Sequence, residues 1–87
     1  MGNPVISTRM TISALQKRMI ELLNAGYSLR IVRSPLNGLP VYAVLCRPEP
    51  HTEVEAVPWW RVERLLRTGR VRLNCASLEV ATHIVPL

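Results

Sequence analysis

Apolar positions along the chain follow a helical period first and a strand period next. Ile12, Leu15, Met19 and Leu22 recur at spacings of three and four, with Ile20 and Leu23 widening the stripe. Gln16, Lys17, Glu21 and Asn24 take the other side, so the pattern predicts an amphipathic helix whose stripe is core material. Ser13 with Gln16 three positions later predicts a capping box, and Gly26 predicts the stop. From Tyr27 to Arg33 the period becomes two, and Tyr27, Leu29 and Ile31 share one strand face. Asn37-Gly38 predicts a type I′ hairpin turn, which needs positive φ at both central residues. The return strand then covers residues 39–47. With Leu36 paired to Leu39, Ile31 stands opposite Val44 and Leu29 opposite Cys46. Pro40 lacks an N–H and marks this strand as a sheet edge.

Residues 48–53 (Pro-Glu-Pro-His-Thr-Glu) read as a stiff acidic connection that ends the strand. Pro58 suits the first position of a second helix, and Gly69 suits the residue beyond its last turn. Within it Trp59, Val62, Leu65 and Leu66 form the apolar stripe, with Trp59 as a core anchor. A last pair of strands follows, residues 71–74 and 78–85, turning through Cys75-Ala76-Ser77. Leu78, Val80, Thr82 and Ile84 alternate there with Glu79, Ala81, His83 and Val85. Residues 1–10, which hold Gly2 and Pro4, show no sustained period and read as an irregular arm. Residues 11–87 form one α+β domain, two helices on a small antiparallel sheet in the order α-β-β-α-β-β.

Composition bounds this picture. Eighty-seven residues allow one domain with a small core, and 48% hydrophobic against 20% charged residues exclude a disordered tail. No apolar run approaches the ~18–20 residues of a membrane span. No charged-then-apolar leader opens the chain, which places the expected compartment in the cytoplasm. Met1-Gly2 is not followed by the Ser or Thr of a myristoylation signal, since Ile6 stands there.

The net charge is +5, and ten of the eleven cations are arginine. Charge is segregated along the chain. Segment 61–72 holds Arg61, Arg64, Arg67, Arg70 and Arg72 against Glu63, a net +4, while segment 49–55 holds three glutamates and no cation. Trp60, Arg64 and Arg67 fall at i, i+4 and i+7 on the second helix, off its apolar stripe. Arginine forks suit phosphates and guanine edges, and an aromatic suits base stacking, so this face fits nucleic acid, with duplex DNA as the expected partner. Two other readings stand beside it. Trp60 and Arg64 are also the residue types that anchor a protein partner, and arginines at a helix C-terminus are favoured by the helix dipole in an ordinary solvated face.

The stretch from Val57 to Val71 reads VPWWRVERLLRTGRV and resembles the W-x-x-V-x-x-L-x-x-x-G-x-V segment of winged-helix-like small proteins, frequent in bacteriophages and mobile elements. That resemblance implies a DNA-reading helix carrying Arg61, Arg64 and Arg67 and a wing carrying Arg70 and Arg72. It implies a regulatory DNA-binding role; an inhibitor or adaptor that blocks a host complex through the Trp60 and Arg64 face is the alternative. The chain departs from the pattern in one respect, because a proline-rich acidic segment precedes the second helix where a winged helix has another helix.

Other chemistry is poorly supplied. Cys46, His51, Cys75 and His83 make a nominal zinc set at spacings that match no zinc signature. The nearest nucleophile–base pair, Cys46 and His51, is interrupted by Pro48 and Pro50, and the four glycines form no phosphate loop. Glu53 and Glu55 could act as an acid–base pair, although a flexible acidic loop is the simpler setting. The expectation is a non-enzymatic protein without cofactor or metal, bound to no membrane. A homodimer is expected from pairing of the 39–47 or 78–85 strand edges, or from burial of Trp60.

Overall fold

A computed structural model describes residues 12–87; the arm expected at residues 1–10 lies outside them. The first helix, α1 (Ala14–Asn24), begins with the expected capping box. Ser13 Oγ accepts from the Gln16 N–H at 3.1 Å, and Gln16 Oε1 accepts from the Ser13 N–H at 3.0 Å. The helix ends where Gly26 takes a φ of +105°. There the Gly26 N–H reaches the Leu23 carbonyl at 3.1 Å and the Tyr27 N–H reaches Leu22 at 3.0 Å, satisfying two orphan carbonyls. The inward stripe differs from the expected one. Met19 and Leu23 are buried, whereas Leu15 is 62% exposed.

Five strands follow in an all-antiparallel sheet: β1 (Ser28–Arg33), β2 (Pro40–Cys46), β3 (Glu53–Pro58), β4 (Val71–Leu73) and β5 (His83–Pro86). Their spatial order is β3-β2-β1-β5-β4. The second helix, α2 (Trp59–Leu66), follows β3 without an intervening loop. The described chain is thus a small α+β domain of two helices and a five-stranded sheet, with the element order α-β-β-β-α-β-β. The additional strand, β3, begins at Glu53, the last residue of the expected acidic connection, and runs on to Pro58, where no strand was expected. Only Val57 of β3 is buried, and an edge strand of this kind tolerates Glu53, Glu55 and a terminal Pro58, so it carries almost no alternation to detect.

The β1–β2 hairpin forms, but one residue away from the expected register: Leu29 pairs with Leu45 and Ile31 with Ala43. The turn explains the shift. Only Gly38 has positive φ, so Asn37 does not adopt the type I′ conformation. A longer loop closes instead, with the Gly38 N–H on the Ser34 carbonyl at 2.8 Å and the Ser34 N–H on the Leu39 carbonyl at 2.9 Å. A one-residue slip exchanges the two faces of a strand, and here it sends Leu45 inward in place of Val44 and Cys46.

Two expected edges are interior. β2 lies between β1 and β3, and Pro40 is accommodated because β3 ends opposite Tyr42, short of it. β5 lies between β1 and β4, and it is shorter than expected. Leu78 to Val80 form a turn, in which the Ser77 carbonyl accepts from the Val80 and Ala81 N–H groups at 3.2 and 3.0 Å. The exposed edges are β3, which carries two glutamates, and the three-residue β4; both features discourage edge-to-edge pairing.

Both helices pack on one face of the sheet. The sheet contributes Leu29, Ile31, Ala43, Leu45, Val57 and Ile84 to the core, and the helices add Met19, Leu23, Val62 and Leu65. Trp59 is half-buried against this cluster. Two side chains fasten the loops. Arg33 donates to the carbonyls of Gly38 (3.1 Å), Leu78 (2.5 Å) and Ala81 (2.7 Å), tying the β1–β2 loop to the β4–β5 loop. Asn74 Oδ1 accepts from the Thr82 N–H at 3.0 Å, and its Nδ2 donates to Thr82 Oγ1 at 2.8 Å.

Candidate nucleic-acid interface

Extended backbone at Pro58 (φ −61°, ψ 150°) turns β3 into α2, with Pro58 as the N-cap, so the helix begins at Trp59, one residue later than expected. Successive helical residues point about 100° apart, so Trp59 and Trp60 diverge. Trp59 turns toward the core, while Trp60 is 56% exposed. One turn further on, the guanidinium carbon of Arg64 stands 5.2 Å from the centre of the Trp60 ring. Val62 and Leu65 are buried and fix which side of α2 faces out.

The five arginines expected to act together do not all share a surface. Arg61 is half-buried beside Trp60, Arg64 is exposed over it, and Arg67 is the exposed C-cap of α2. Gly69, with φ +74°, turns the chain into β4, and Arg70 is exposed in that turn. Arg72 differs. On β4 its neighbours Val71 and Leu73 face the helices, so Arg72 projects from the opposite side of the sheet. Its guanidinium donates to the Leu73 carbonyl at 3.1 Å.

The two glutamates of β3 are engaged away from α2. Glu55 pairs with Arg18 of α1 at 3.8 Å, and Glu53 pairs with Arg30 of β1 at 3.5 Å. Among the described residues Arg61, Arg64, Arg67 and Arg70 have no carboxylate within ion-pair distance. Arg33 and Arg72 likewise have no carboxylate partner among the described residues and donate to backbone carbonyls instead.

A groove of about 160 Å³ separates the start of α1 from α2. Its apolar lining comes from Met19, Val57 and Leu65, with Leu15 and Trp60 at the mouth. Ser13, Gln16, Arg61 and Arg64 supply its polar rim. Sequence reasoning missed this feature. Leu15 fits the apolar period of α1, and nothing local reveals that the first turn of that helix faces a groove. As for the nominal zinc set, no three metal-binding side chains converge among the described residues. No helix among them is long and apolar enough to cross a membrane.

Comparison with protein-family models, characterised proteins and solved structures finds no match to this chain.

Proposed function

We propose that the chain is a nucleic-acid-binding protein that grips phosphates through Arg61, Arg64, Arg67 and Arg70. The observation that carries this reading is that four arginines without a carboxylate partner among the described residues cluster on one helix and its following turn. Charges held without intramolecular partners on one helix and its following turn are available to neutralise phosphates and release counter-ions. Trp60, exposed beside Arg64, adds a flat apolar group of the kind that stacks on bases. Duplex DNA is the proposed partner and regulation the proposed role. The winged-helix resemblance remains part of the proposal for residues 58–73, which form a helix, a glycine turn and a strand. β3 rather than a helix precedes α2, so the proposed contact rests on the charged face and not on a helix-turn-helix geometry.

A protein partner is the second reading, and the groove favours it: Leu15 and Trp60 leave exposed apolar surface beside two arginines. Titration of a labelled duplex at low salt separates the two. The nucleic-acid reading expects binding by the wild type and a clear loss in the Arg64→Ala, Arg67→Ala double variant. It fails if the wild type does not bind at low salt.

A further inference from the structure

The groove between α1 and α2 has a shape and a rim that narrow the class of nucleic acid. We propose that it receives one unpaired nucleobase, so that the tighter-binding partner is single-stranded or carries an extruded nucleotide. This inference rests on the nucleic-acid reading above. About 160 Å³ is the room of a single planar ring system, not of stacked base pairs. Met19, Val57 and Leu65 give that ring an apolar floor. Trp60 stands at the mouth with the Arg64 guanidinium near its ring, and both groups are flat and suited to stacking on a base.

The rim supplies hydrogen-bond donors to the edge of such a base. Ser13 Oγ already accepts from the Gln16 N–H, which leaves its hydroxyl proton free to donate. Gln16 Oε1 already accepts from the Ser13 N–H, which leaves its amide NH₂ to donate. Arg61 and Arg64 are donors only. These donors can reach acceptors that every base carries on its edges, carbonyl oxygens or ring nitrogens. In a duplex the ring faces are stacked on their neighbours, so only an unstacked base can enter. Arg67 and Arg70, exposed at and beyond the C-terminal end of α2 and outside the groove lining, remain free for phosphates of flanking nucleotides.

The test compares three labelled probes of equal length at one salt concentration: oligo(dT), oligo(dA) and a mixed-sequence duplex. The full chain is expected to bind both single-stranded probes about tenfold more tightly than the duplex, within the range set by stacking of one base. Leu15→Trp, which fills the mouth from an exposed position, should erase that preference and leave duplex affinity unchanged. Trp60→Ala should also reduce it, which keeps the test decisive if the Leu15 variant misfolds by circular dichroism. Equal affinity for the three probes, or a single-strand preference that survives both substitutions, overturns the inference and leaves the nucleic-acid reading standing. An acidic, leucine-containing peptide offers the same floor and rim a different occupant. If that peptide binds and no nucleic acid does, the reading and the inference fall together.

Discussion

The guanidinium of Arg64 lies over the ring of Trp60, 5.2 Å from its centre, and both residues are exposed. A cation–π contact at an exposed site contributes only about 0.5–1 kcal/mol, so this pair does not hold α2 on the sheet. Val62 and Leu65 do that from the opposite side of the helix. What the pair provides is orientation: a large flat apolar group and a planar cation are presented together beside the groove.

Stability and binding should therefore separate at Trp60. Trp60→Ala is expected to cost no more than about 1 kcal/mol in urea unfolding, the size of the lost cation–π contact. The same change should weaken nucleic-acid binding by about 1–3 kcal/mol if the ring stacks on a base. Leu65→Ala should invert the pattern in unfolding, at about 2–5 kcal/mol, because Leu65 is a buried core residue.

Arg33 is expected to matter for stability and not for binding. Its three carbonyl partners lie in two loops that are far apart in sequence. Hydrogen bonds from a charged donor contribute about 1.5–3 kcal/mol, and Arg33→Ala should cost at least about that much in chemical denaturation. Arg33→Lys should recover only part of it, since an ammonium lacks the planar fork that spans several acceptors.

The hairpin loop makes a contrasting pair of substitutions. Gly38 has φ +73° with no atom within 4 Å of where a Cβ would stand. Gly38→Ala should therefore cost about 1–2 kcal/mol from backbone strain alone, without a clash. Asn37→Gly, which would favour a type I′ turn, should bring no gain, because Asn37 does not have positive φ. A stabilised Asn37→Gly protein would contradict the loop described here.

Register can be checked in the same way. Leu45 is fully buried, and Leu36, at the loop tip, is 94% exposed. Leu45→Ala should lose about 2–5 kcal/mol. Leu36→Ala should stay within about 0.5 kcal/mol of the wild type by the same unfolding measurement.

Local signals carried most of the fold. The Ser13–Gln16 capping box, the Gly26 stop and the change of period at Tyr27 are each written in a few adjacent residues, and all three are present. The residues that misled are those whose state depends on distant neighbours. The β2 run from Val41 to Cys46 is apolar on both sides, so alternation could not tell Leu45 from Val44; the loop geometry settled it. Leu78 and Val80 alternate like a strand, but the Ser77 carbonyl captures the Val80 and Ala81 N–H groups into a turn. The site was half legible. Trp60 and the arginines of α2 stood out from charge and spacing, whereas the pairing of Glu53 with Arg30 and of Glu55 with Arg18 is tertiary. So is the separation of Arg72 from the other four arginines, which depends on strand parity in a strand of three residues.

The central claim, that the arginines of α2 meet phosphates, is tested most directly by the salt dependence of duplex binding. Each phosphate neutralised on duplex DNA steepens the fall of log affinity with log salt by about 0.9, so four contacts predict a slope of about −3 to −4. Arg64→Ala with Arg67→Ala should flatten that slope by about two units while the unfolding midpoint stays near the wild-type value. A wild-type slope near zero, or one that the double substitution leaves unchanged, would contradict the account.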